Sequence, residues 1–278
     1  MIGSLHANVM KDFQGSTKGA GTVIRLSLPK EHGAYVVLAS SCIYGLIRSP
    51  SIDLGRAIPT LVLIFALFLI QKPAYELVRN LPSLQHPPVL FFWLVGLLAA
   101  SILFSYLLST IAPQLWVIII PGGVVFAAYA LMDPRRFGMG ERSVVGFLLL
   151  TLAAPTLQLA VGTPSISSVV ETWFIASLYF CGSAMNIRLR LVKRATAQGM
   201  NAKAQQAILY HALLTALCFA LASTGLTGWT TVLVLSVSSL RLIWILQNLE
   251  RFRALPLKRI GVQESLLAVL FLGLTFLR

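Results

Sequence analysis

Acidic residues are scarce in this chain. Nine Asp and Glu are spread over 278 residues, and no two stand closer than eight positions. Two carboxylates on adjacent turns of one helix, an arrangement that shares a hard cation, are therefore excluded. Histidine is equally sparse: His6, His32, His86 and His211 lie far apart, with no paired spacing for haem or zinc on a single helix. The three cysteines, Cys42, Cys181 and Cys218, form no CxxC and sit in apolar stretches, so they read as small core residues and support neither a disulfide framework nor a thiolate metal site. No Walker-type phosphate loop, HExxH or GxSxG occurs. Charged residues make up only 11% of the chain, against roughly 25% in soluble domains. A soluble domain is excluded.

What is present is apolar. Hydrophobic residues reach 57% and the mean hydropathy is +0.82, which places the chain among integral membrane proteins. A span takes about 20 mostly apolar residues, so this length holds about nine or ten spans with short loops. Apolar segments fall at 34–47, 57–71, 88–109, 114–132, 143–161, 167–187, 206–223, 228–247 and 264–277. The first two are short. Residues 1–28 contain no apolar block of signal-peptide length and read as a disordered, basic cytoplasmic tail, leaving 29–278 as a single nine-helix membrane domain. Pro121-Gly122-Gly123 interrupts the fourth segment and reads as a packing kink.

Charge then orients the bundle. Of the 22 Lys and Arg residues, nineteen fall before segment 1, in loops 2–3, 4–5, 6–7 and 8–9, or at the adjoining helix ends; Arg48, Arg56 and Arg278 fall on the other side. Orientation follows the Lys/Arg excess of short loops, so the N-terminus is expected in the cytoplasm and the C-terminus outside, in the plasma (bacterial inner) membrane. The net charge of +13 is spread over helix ends, which insertion alone accounts for; nucleic-acid binding would need a continuous basic surface.

Segment 1 opens with Leu28-Pro29-Lys30-Glu31-His32-Gly33-Ala34-Tyr35. Pro29 suits a helix start, Glu31 favours the positive end of the helix dipole, and Gly33 permits close helix approach. The string serves either as a well-built helix cap or as a dense patch of polar chemistry at a membrane boundary. Lys30 to Tyr35 resembles the K-[QE]-H-G-A-[WY] signature of the YwiC-like membrane proteins. Similar short strings follow at Gly140-Glu141-Arg142-Ser143, Phe180-Cys181-Gly182-Ser183 and Lys258-Arg259-Ile260-Gly261-Val262-Gln263-Glu264, so the resemblance runs over about 29 to 275.

That family is similar in helix count and arrangement to the UbiA superfamily of intramembrane prenyltransferases. The resemblance implies a nine-helix, all-α bundle with a lipid-open cavity, and a prenyl diphosphate held through Mg²⁺ by Asp-rich motifs after helices 2 and 6. Here those motifs are missing. The first position reads Gln71-Lys72-Pro73-Ala74-Tyr75-Glu76-Leu77-Val78-Arg79-Asn80, with one carboxylate; the second runs from Asn186 to Arg194 with none. Cations stand there instead. Arg190, Lys193 and Arg194 are spaced i, i+3, i+4, with Asn186 one turn earlier, a set that could clamp phosphate without metal or only anchor the segment against anionic headgroups. Glu31, Glu76 and Glu264, gathered from different helices, could still hold Mg²⁺.

Three further residues complete the candidates. Arg241 lies inside segment 8 with Trp244 and Asn248 on its helical face; an intramembrane charge is a functional candidate, and snorkelling is the other reading. His211 follows Tyr210 in segment 7, where a histidine bonds a neighbouring helix or lines a site. Glu264 reads as an acid in the first turn of segment 9, suited to the helix dipole. The expectation is a UbiA-like protein with a cytoplasm-facing cationic cavity that binds a phosphate- or diphosphate-headed isoprenoid or other membrane lipid. Lys30, His32, Tyr35, Lys72, Tyr75, Arg79, Asn186, Arg190, Lys193, Arg194, His211 and Arg241 are the expected binding residues. The alternatives are an active prenyltransferase, with Glu31 and Glu76 catalytic and Glu264 joining them around Mg²⁺, or a non-enzymatic lipid transporter or accessory of a membrane complex.

Overall fold

The computed structural model describes residues 32–80, 87–111, 113–131, 139–191, 197–225 and 227–277. Among these residues the regular elements are all helical. A bilayer interior demands this, because a helix closes its backbone hydrogen bonds within one segment. The helices are α1 (His32–Ile47), α2 (Leu54–Asn80), α3 (Pro87–Ile111), α4 (Trp116–Leu131, after a 3-10 turn at Pro113–Leu115), α5 (Met139–Thr151), α6 (Ala153–Val161), α7 (Ile166–Leu191), α8 (Ala197–Ser223), α9 (Trp229–Gln247), α10 (Leu249–Ala254) and α11 (Leu257–Thr275). Among the described residues each apolar segment falls on helical backbone, apart from segment ends and the break at Leu152. The tail at 1–28 lies outside the described residues.

Four stretches among the described residues are long and apolar enough to cross a membrane: Phe91–Ser109, Val144–Val161, Ala202–Ser223 and Trp229–Gln247. The outer surface agrees. Phe92, Val117 and Ile166 are among many large apolar side chains left exposed, a surface that lipid accepts and water does not.

α4 keeps Pro121 inside a continuous helix, which a packing kink allows. An interruption falls at Leu152, between α5 and α6, where Pro155 lacks an N–H and its ring opposes the carbonyl four residues back, at Thr151. Thr151 answers with its hydroxyl, which bonds Leu148 O at 2.9 Å and meets Ser177 Oγ of α7 at 2.8 Å.

α1 occupies the centre, packed against α5, α6, α7 and α11. At its crossing with α6, Gly45 lies so close that a Cβ there would stand 2.2 Å from the Ala154 carbonyl oxygen. On the opposite side, Phe271 of α11 packs against Tyr44, Tyr179 and Phe180 with ring centroids 5.0, 4.2 and 5.8 Å away. The Tyr179 hydroxyl, carried into this apolar stack, donates to Leu267 O at 2.7 Å. These rings fill the middle of the bundle and separate two polar clusters, one near each end of α7.

Candidate functional site

The first cluster joins the C-terminal half of α7 to α9 and α11. Helical spacing puts Ser238, Arg241 and Trp244 on one face of α9, and α11 lays Gln263 and Glu264 against it. Arg241 Nη2 donates to Gln263 Oε1 at 2.6 Å, and its guanidinium lies over the Trp244 and Phe252 rings at 4.9 and 5.6 Å. Ser183 of α7 donates to Glu264 Oε2. The Arg241 and Glu264 side chains are only 11% and 13% exposed, and Nε of one stands 3.6 Å from Oε1 of the other. That distance is too long for a hydrogen bond. Neither atom has any other partner. The two charges offset one another at close range while their facing atoms stay unbonded.

A seam of polar groups continues towards α8. Asn186 Nδ2 donates to Ser238 O at 3.2 Å, and His211 Nδ1 meets Ser239 Oγ at 3.3 Å. Asn186 Oδ1, Ser238 Oγ and His211 Nε2 are buried without a partner. Gly182 makes this junction feasible: a Cβ there would come within 2.7 Å of Ser238 Oγ and 3.0 Å of His211 Cε1. Unmet polar atoms are costly inside a membrane and are kept where they receive something.

Outside the seam, α8 and α9 line an open groove of about 1130 Å³. Ile208, Phe219, Leu242 and Leu246 give it apolar walls, while His211 and Ser239 belong to both groove and seam.

Four of the residues singled out from the sequence thus converge: Asn186, His211, Arg241 and Glu264. Glu264 is not a first-turn acid, because α11 begins at Leu257 and sets it two turns in, where it faces Arg241 instead of a helix terminus. Arg190 lies at the same end of α7 but is turned aside, its Nε donating to Leu255 O at 3.2 Å in the α10–α11 link. Tyr35 is elsewhere, edge-on to Phe68 of α2 at 5.0 Å. Lys30, Glu31, Lys193 and Arg194, and the side chains of His32, Lys72, Tyr75, Glu76 and Arg79, lie outside the described residues.

Sequence reasoning named Ser183 and Gln263 only inside short family-like strings and passed over Ser238, Ser239 and Phe252. For the serines and Gln263 the signal was visible as polar residues close to Asn186, Arg241 or Glu264 along otherwise apolar helices; Phe252, an aromatic on the short, charged α10, carried none. For Mg²⁺ the described residues do not fit. Glu264 faces a guanidinium and a hydroxyl, and no group of three or more His, Cys, Asp or Glu gathers among the described residues.

The second cluster lies at the other end of α7. Arg48, counted from sequence as an outer-loop cation, is buried at 4% exposure, with Nη2 at 2.5 Å from Glu171 Oε2 and Nε at 3.3 Å from Thr172 Oγ1. Gln158 of α6 donates to Arg48 O and Ser168 Oγ at 3.1 and 3.0 Å. Glu171 and Ser183 are twelve residues apart on α7, about 18 Å at 1.5 Å per residue. This cluster ties α1, α6 and α7 together; its ion pair is closed, and Gln158 Oε1 is its buried atom without a partner.

Comparison with known families finds a match to the model of YwiC-like proteins over residues 28–161, a little under half of the chain. It contains Lys30 to Tyr35 and Gly140 to Ser143, whereas the seam lies beyond it. No curated protein and no solved structure matches significantly.

Proposed function

We propose that this chain, YwiC-like over residues 28–161, is a plasma-membrane protein that binds an amphiphile with an anionic, phosphate- or diphosphate-bearing head, such as a polyprenyl phosphate. The observation that carries the reading is Arg241: an arginine within an apolar helix whose Nε is buried and unbonded. A guanidinium nitrogen left without a hydrogen bond at that depth is expensive, even beside the Glu264 carboxylate, and a guanidinium offers phosphate planar, paired donors. The head group sits at the α7–α9–α11 seam on the cytoplasmic side, among the cations that make the charge bias. The tail lies along the groove between α8 and α9, whose polar floor is continuous with the seam through Ser239 and His211.

Binding is the function assigned, because what the seam offers is a buried guanidinium and unpartnered polar atoms, which hold an anion. The test compares a polyprenyl phosphate with the corresponding polyprenol on protein in lipid nanodiscs, by native mass spectrometry and fluorescence titration. The phosphate is expected to bind at least about tenfold tighter, and Arg241→Ala to abolish the preference, one charge-assisted contact being worth about 1.5–3 kcal/mol. Equal binding of the two lipids rejects the reading. Mg²⁺-dependent release of pyrophosphate from a prenyl diphosphate would instead establish a transferase.

A further inference from the structure

We infer that Glu264 is a tethered competitor for the head-group site: its carboxylate stands in for the ligand's anion beside Arg241 and yields when that anion arrives. The inference rests on the assignment of Arg241 as the head-group residue. Its ground is the contrast between the two buried ion pairs among the described residues. Arg48 and Glu171 close to 2.5 Å, reinforced by Thr172, as a permanent tie does. Arg241 and Glu264 stop at 3.6 Å, with Nε and Oε1 facing each other and neither hydrogen-bonded.

Each partner is held by something other than its opposite charge. Gln263 holds Arg241 through Nη2, and Ser183 holds Glu264 through Oε2. If Glu264 moves away, the guanidinium keeps its position and its aromatic contacts with Trp244 and Phe252. The carboxylate, for its part, keeps a donor on α7. The bond left unmade is the one between the charges. A buried guanidinium without any anion would be strongly destabilising, so an empty site needs a resident counter-charge. A fully bonded one would exclude the ligand. A loose pair with separate anchors meets both requirements, and ligand binding then exchanges one anion for another without stranding a charge.

The inference fixes opposite signs for two conservative substitutions. Glu264→Gln keeps a bonding partner for Ser183 and removes the competing charge, so polyprenyl phosphate should bind at least about tenfold tighter than to wild type. Ser183→Ala removes the carboxylate's other anchor and leaves it dependent on Arg241, so binding should weaken severalfold. A merely structural pair would lose affinity in both. Dissociation constants for polyprenyl phosphate and polyprenol are measured in nanodiscs for wild type and both variants, with thermal unfolding as the check of fold. Wild-type preference for the phosphate, with no tightening in Glu264→Gln, overturns the competitor and leaves the head-group assignment standing. Absence of that preference in wild type overturns both. Should Glu264→Gln fail to fold, Glu264→Asp, whose shorter side chain withdraws the carboxylate from Arg241, takes its place, and binding no tighter than wild type overturns the inference.

Discussion

Gly45→Ala should open the centre of the bundle. The added Cβ would lie 2.2 Å from the Ala154 carbonyl oxygen, 2.9 Å from its carbon and 3.0 Å from its Cα. A carbon and a carbonyl oxygen approach to about 3.3 Å even in favourable close contacts, so the overlap is about 1 Å. All three opposing atoms are backbone, and no rotamer change relieves them. α1 and α6 must separate by about that distance, loosening the cluster of Leu38, Cys42, Ala153 and Leu157 between them. Overpacking of this kind costs about 1–3 kcal/mol, with the upper end expected against backbone. Alanine's better helix propensity returns about 1 kcal/mol. The net is about 2 kcal/mol, a shift of roughly 4–8 °C in midpoint for a protein of this size. Gly273→Ala is the control: nothing lies within 4 Å of its Cβ position, so only the propensity gain remains. Thermal unfolding in one detergent, followed by tryptophan fluorescence, should order the proteins Gly273→Ala, wild type, Gly45→Ala. A Gly45→Ala protein as stable as wild type would refute the close α1–α6 crossing.

Gly182→Ala meets a rotatable hydroxyl, Ser238 Oγ, before anything rigid, so its loss should be smaller, about 1 kcal/mol, read in the same assay. Glu171→Leu strands Arg48 and should cost about 3 kcal/mol or more, whereas Arg48→Met combined with Glu171→Leu should recover most of it; a double variant as unstable as the single one would show that packing, and not charge, is at stake. Topology can be read with a membrane-impermeant thiol reagent, since the native cysteines are buried. Ser165→Cys should label from outside and Glu250→Cys from the cytoplasmic side only, and the reverse pattern would overturn the orientation drawn from the Lys/Arg bias.

The chain announced its class without help. Charge scarcity and apolar runs identify a membrane protein, and in a bilayer those runs can only be helices or a closed barrel, so all-helical backbone follows from composition and length. Cys42, Cys181 and Cys218 prove free and buried, as their apolar surroundings indicate. The candidate site was half legible. Arg241 stands out because charge inside an apolar segment is rare, and Trp244 joins it because residues three apart share a helical face. Local spacing explains both.

What lies across the bundle was not legible. Arg48 looked like a loop cation because it ends an apolar run, yet α7 brings Glu171 and Thr172 around it from more than 120 positions away. Glu264 looked like a helix-terminal acid because the start of α11 depends on Pro256, eight residues before the apolar run begins. The sequence by itself determined helix content, membrane residence and which polar residues were out of place. Only the tertiary structure decided their partners, because a helical period specifies a face of one helix and says nothing about which other helix that face meets. That choice, made by Gly45 at α6 and Gly182 at the α7–α8–α9 junction, leaves Arg48 in a closed pair and Arg241 in an open one.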